Sequence, residues 1–159
     1  MLKVIVNSTP IIAFSKIGKL DLLRQMYVEV TIPRAVFREV TAKNDSAGRN
    51  IVKNRWINIE AVANIGDQRM YSAKLHAGEV EVMILAQRTE DHLVVIDDRA
   101  ARKTAEFLGL NLTGTVGILI KAKQRGFIPK VMPLVASMEA SEIFLSEGLK
   151  QQIRKLCGE

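Results

Sequence analysis

The chain has 159 residues, 48% of them hydrophobic, with a formal net charge of +6; that is close to one ordinary domain and enough apolar material for a real core. No stretch reaches the roughly 18 consecutive apolar residues of a membrane span, and the opening residues carry no signal-peptide pattern. The single Cys157 cannot form an intrachain disulfide, so a reducing, cytoplasmic setting is expected.

LKVIVN is a short β-branched run and reads as a buried strand ending at Asn7. Ser8 or Thr9 is expected to cap the next helix, with Pro10 at a first helical position and Gly18 at its end. Leu20, Leu22, Leu23 and Met26 mark a second short helix. VEVTI is the next strand, and Pro33 opens the helix RAVFREVTAK, with Glu39 in its second turn. A loop and short helix around AGRNIVKNR, a strand WINIEAV and a polar connection lead to LHAGEVEVMILAQR. That segment predicts a helix starting near Gly78, with Val80, Met83, Ile84 and Ala86 inward and Glu79 and Glu81 on its first turn. HLVVI is a strand; Asp97 and Asp98 end it and start the helix RAARKTAEFLG, closed by Gly109. LNLTG is a short strand, Thr115 caps VGILIKAKQRG, and Gly126 ends that helix. KVMPLVASMEA and SEGLKQQIRKL are two further helices. Strands alternating with helices indicate an α/β fold around a mainly parallel sheet. One domain over 1–159 is expected, its C-terminal helices (about 130–156) packing on it or on the partner of a homodimer.

In an open α/β sheet the ligand crevice lies beyond the carboxyl ends of the strands. Asn7 ends one strand there, and the Asp97–Asp98 pair ends another. The helices carrying Glu39, and Glu79 with Glu81, start from that same edge. Carboxylates gathered in one place repel one another and cost stability unless something positive compensates. Mg²⁺ and Mn²⁺ are the usual compensation, because hard cations prefer oxygen ligands. The pattern points to metal-assisted phosphoryl chemistry, and the excess of basic residues suits an anionic polymer substrate. The plainer alternative is solvated charge at helix starts, where acids favour the dipole. An aspartyl phosphatase would need Asp where Asn7 stands, and a phosphoacceptor receiver domain would need its acidic pair early. Thr113-Gly114-Thr115-Val116-Gly117 lacks the Gly-Lys-Ser/Thr ending of a phosphate loop. It reads instead as a tight turn with close helix packing.

The segments VNSTPIIAFSKIGKLDLL, IPRAVFREV, LHAGEVEVMILA, VVIDDRAARKTAEFLGLNLTGTVGILIKAKQRGFIP and CGE together resemble a branch of the PIN-domain superfamily, in order along nearly the whole chain. The resemblance implies a three-layer α/β/α sandwich and an Mg²⁺- or Mn²⁺-dependent ribonuclease, many of which are VapC-like toxins of toxin–antitoxin pairs. It implies an acidic site of Asn7, Glu39, Glu79 and Asp98, with Asp97 and Glu81 as neighbours. A departure is Asn7, where most nucleases of the superfamily carry Asp; the amide keeps a ligand oxygen but loses a charge.

The expected function is therefore an endoribonuclease with an RNA substrate and a small antitoxin partner, its activity reduced by Asn7. A non-catalytic RNA- or partner-binding module is the alternative. Arg99 and Arg102 are expected to hold phosphate, or else to neutralise Asp97 and Glu106. His76 and His92 read as surface residues flanking elements, Trp56 as core, and the Leu149, Ile153, Leu156 stripe as core or dimer contact.

Overall fold

The computed structural model describes residues 1–43, 45–63 and 75–159. Most of the polar connection expected before LHAGEVEVMILAQR lies outside the described residues. The strands are β1 (Lys3–Val6), β2 (Val30–Pro33), β3 (Ile57–Glu60), β4 (His92–Val95) and β5 (Leu112–Thr113). They form one sheet in the order β3-β2-β1-β4-β5. All of these pairings are parallel, where a mainly parallel sheet was expected. The described helices are α1 (Ser8–Lys16), α2 (Asp21–Tyr27), α3 (Arg34–Thr41), α4 (Ser46–Lys53), α5 (Ala77–Gln87), α6 (Arg99–Phe107), α7 (Thr115–Gln124), α8 (Met132–Ala140) and α9 (Glu147–Cys157). They flank the sheet to give a three-layer α/β/α fold.

The strand order fixes where a ligand site can form. From β1 the chain winds outward through β2 and β3, then returns to place β4 on the other side of β1. The direction therefore reverses between β1 and β4, and the crevice belongs at their carboxyl ends. There Val6 pairs with Val95, and the Asn7 N–H donates to the Val95 carbonyl at 3.0 Å.

Burial explains the sequence patterns. Strand residues such as Ile5, Val6, Ile32, Val94 and Val95 are buried, because helices cover the sheet and a covered parallel strand needs no polar face. Helix α5 packs against both the sheet and α3. It is buried from Gly78 to Ala86, so Val82 and Leu85 join the inward set that the sequence suggests. Gly109 and Gly126 end α6 and α7 at φ +71 and +80, the left-handed backbone that glycine adopts without strain.

Four expectations need correction. Asn7, not Ser8 or Thr9, is the N-cap of α1, and Pro10 is its third residue. Proline is tolerated there because the first four helical N–H groups have no intrahelical partner. Gly114, not Thr115, is the N-cap of α7. His92 is buried rather than on the surface. Asn111 N–H donates to its Nε2 at 3.1 Å, and its Nδ1 lies 2.7 Å from the Thr89 carbonyl, so the ring joins β4 to the turn before β5. Of the α9 stripe expected as core or dimer contact, Ile153 lies in the core, while Leu149 is 38% and Leu156 65% exposed. Trp56 packs half-buried against the core, its Nε1–H buried without a partner among the described residues.

Candidate active site at the carboxyl edge of the sheet

A chain of contacts links most of the predicted acids. The Ser8 hydroxyl, one residue after Asn7, donates to Glu39 in a very short hydrogen bond. Glu39 also accepts the Gly78 N–H at 2.9 Å. Next in sequence, Glu79 accepts the His76 N–H at 2.9 Å and lies near enough to Asp98 for that charge to raise its carboxyl. Asp98 is the N-cap of α6, accepting the Ala101 N–H at 3.0 Å. Asn7, Glu39, Glu79 and Asp98 thus follow one another around the carboxyl ends of β1 and β4.

Local sequence accounts for this arrangement. All four positions are helix starts or lie against one, and at Glu39, Glu79 and Asp98 a backbone N–H of that start donates to the side-chain oxygen. Gly78 lets Glu39 approach α5, since a Cβ there would come within 2.7 Å of its carboxylate. His76 and Glu79 form a capping box at the start of α5.

Asp97 and Glu81 have different surroundings. Asp97 accepts the Thr115 N–H at 2.8 Å on one oxygen and the Thr115 hydroxyl at 2.6 Å on the other. It therefore supplies the cap that α7 lacks from its own Gly114. Glu81 accepts the Ala35 N–H at the start of α3, at 3.1 Å and buried. Helical geometry separates Glu81 from Glu79, because two residues turn a helix by about 200°. The tight acidic pair in the sequence is thus divided between two faces.

The basic residues also differ. Arg99 is exposed in the first turn of α6. Arg102 is half-buried and donates from Nη1 to the Ile96 carbonyl at 2.9 Å. A Cβ at Gly114 would lie 2.8 Å from Asp97 Oδ1 and 3.0 Å from Arg102 Nη1. Glycine thus admits a carboxylate and a guanidinium into one narrow space.

Burial pushes the Glu79 carboxyl above its ordinary range. The His76 N–H pulls it back, and the neighbouring Asp98 charge raises it again. The donors fit a hard divalent cation: carboxylates of Glu79 and Asp98, and the Asn7 carbonyl oxygen. Asn7 is 4% exposed, and its Oδ1 is buried with no hydrogen-bond partner among the described residues. A carboxylate has about four lone-pair sites, so the hydrogen bonds of Glu79 and Asp98 leave capacity for a further ligand. Among the described residues no three His, Cys, Asp or Glu side chains form a ligand group by themselves. An ion here would rest on a mixed carboxylate and amide set.

The sequence did not reveal the roles of Ser8, Thr115 and Gly114. Their partners lie 31 residues away for Ser8 and 18 for Thr115. Only the glycine-rich turn gave a local signal.

Among the described residues no helix is long and apolar enough to cross a membrane. A family model described as a PIN domain matches residues 3–159. No curated protein and no solved structure matches the chain. The sheet order, the crevice between β1 and β4 and the match over residues 3–159 converge: the chain belongs to the PIN-domain family and has a nuclease-type fold.

Proposed function

We propose that this protein is a metal-dependent endoribonuclease, the toxin of a toxin–antitoxin pair, acting as a cytoplasmic homodimer. The observation that carries the proposal is that the Asp98 charge acts on the Glu79 carboxyl at the sheet edge where Asn7 follows β1, its Oδ1 buried and, among the described residues, unpartnered. Glu79, Asp98 and Asn7 would hold Mg²⁺ or Mn²⁺, with Glu39 and Asp97 completing the acidic surround. A bound ion of this kind activates water and stabilises charge developing on a phosphodiester. Glu39 positions the start of α5 through Gly78, and so positions Glu79. Asp97 holds the start of α7 and shares its narrow space with Arg102. Arg99 and the remaining donors of Arg102 would bind backbone phosphates.

Mn²⁺ calorimetry on the parent and Asp98→Asn, with cleavage of a mixed-sequence RNA, tests the proposal. The expected result is binding and metal-dependent cleavage by the parent, both lost in Asp98→Asn. Equal heats from the two proteins would exclude the site. A small antitoxin-like protein encoded beside this chain would support the toxin role. Asn7 favours a second possibility, a non-catalytic RNA- or partner-binding module, because it removes one anionic ligand. Metal binding without cleavage, by both the parent and Asn7→Asp, would favour that module.

A further inference from the structure

A cleft of about 440 Å³ adjoins the acidic site. Asp97 and Thr115 form part of its wall, so it shares a residue with the candidate active site. Further parts of the wall come from α1, through Ile12 and Lys16, from the α8–α9 connection, through Phe144, and from α9, through Leu149. Phe144 is 88% exposed. Full burial of such a ring would gain about 1.5–3 kcal/mol, so its exposure beside a site is notable.

The loop that presents the ring is held in place. Glu142 has φ +66, an uncommon backbone for a side chain with a Cβ. Its N–H donates to the Glu139 carbonyl at 3.1 Å, and the Ile143 N–H donates to Met138 at 3.0 Å. Lys16, exposed in the last turn of α1, lines the same cleft. An aromatic face, apolar walls and a cation are the combination that binds single-stranded nucleic acid: bases stack and a cation meets the backbone.

We propose that this cleft is a base-binding subsite for single-stranded RNA, with Phe144 stacking on a base and Lys16 meeting the adjacent phosphate. The proposal rests on the nuclease reading above for its substrate and gives that substrate a place beside Asp97. A surface for a protein partner would not need the cation and ring together next to the acidic edge.

The test is fluorescence anisotropy with a labelled, mixed-sequence single-stranded octaribonucleotide, in EDTA so that no cleavage occurs. Stacking of one base is worth about 1–3 kcal/mol, so Phe144→Ala should weaken binding about 5- to 150-fold. Phe144→Trp should restore it. Lys16→Gln should weaken binding at low salt and reduce the salt dependence by about 0.7 in the log–log slope. Thermal melting of Phe144→Ala should match the parent, because the ring is exposed. Parent-like RNA binding by Phe144→Ala would overturn the subsite, as would no RNA binding by the parent. If that variant keeps RNA binding but loses self-association in sedimentation, the cleft joins copies of the chain and the subsite is likewise overturned. Mn²⁺ calorimetry on the same proteins separates the two readings. Phe144-dependent RNA binding without metal binding or cleavage would support the subsite while rejecting the nuclease.

Discussion

Among the described residues Asn7 Oδ1 is buried with no hydrogen bond, and an uncompensated buried acceptor costs about 1–3 kcal/mol. Asn7→Asp would put a charge in the same place, next to the strand end that leads to Asp98. We expect the variant to melt lower than the parent without metal, to gain more from added Mn²⁺, and to cleave RNA faster. Differential scanning calorimetry with and without Mn²⁺, alongside a cleavage assay, checks whether gain of activity and loss of metal-free stability go together. The opposite effect is expected for Glu79→Gln and Asp98→Asn. Each keeps its oxygen acceptor, for the His76 and Ala101 N–H groups respectively, and removes one of two repelling charges. Metal-free melting should rise by about 2 °C, since a domain of this size shifts roughly 2–4 °C per kcal/mol, and stabilisation by Mn²⁺ should disappear. Lower metal-free melting in both variants would make these carboxylates structural caps.

Two helices exchange carboxylates. Glu39 of α3 accepts the Gly78 N–H at the start of α5, and Glu81 of α5 accepts the Ala35 N–H at the start of α3. Each helix satisfies a backbone donor that the other leaves free, so the pair packs in one register. Glu81→Ala would leave the buried Ala35 N–H without a partner. The expected loss is about 1–3 kcal/mol of stability with Mn²⁺ affinity nearly unchanged, measured by urea unfolding and calorimetry. Gly78→Ala should do the reverse. Its Cβ would displace the flexible end of Glu39 rather than backbone, and alanine is the better helix former by about 1 kcal/mol. Melting should therefore change little, while Mn²⁺ affinity falls because the start of α5 shifts relative to Asp98. A large loss of stability with unchanged metal binding would contradict this account.

Across the whole molecule, Glu159 joins parts of the chain far apart in sequence. Its carboxylate accepts the Val131 and Met132 N–H groups at 2.8 and 3.0 Å, at the start of α8. Lys123 of α7 donates to it at 2.9 Å. The Val131 hydrogen bond leads in holding the Glu159 carboxyl down to about 2. A folded-state value below the ordinary 4.5 means that the contribution is fully present above about pH 4.5. It is lost as the pH falls from there toward 2, because the unfolded chain takes up the proton first. Glu159→Gln should therefore melt below the parent at pH 7, with the difference shrinking between pH 4.5 and 2. A difference that does not change over that range would mean that the carboxylate charge contributes nothing.

The order of the elements was legible in the sequence, because each short apolar run is bounded by Pro, Gly or an acid that a helix end favours. That Asn7, the Asp97–Asp98 pair and the helices carrying Glu39 and Glu79 with Glu81 share one edge followed from parallel α/β winding, and the narrower set of Asn7, Glu39, Glu79 and Asp98 from the family resemblance. What each acid does there did not follow. Glu81 and Glu79 look alike two residues apart, yet one is turned toward α3 and the other toward Asp98. Asp97 and Asp98 are adjacent, yet one holds α7 and the other caps α6. His92 looked like a surface residue because its partners Thr89 and Asn111 acquire meaning only once β4 and β5 pair. The sequence by itself determined which segments become strands and helices, since hydrophobic period and helix-end chemistry act over a few residues. Only the tertiary structure decided which carboxylates hold the start of a distant helix, because the backbone partners of Asp97, Glu39 and Glu81 lie 18 to 46 residues away and meet them only when the layers pack, whereas Glu79 and Asp98 take partners three residues away.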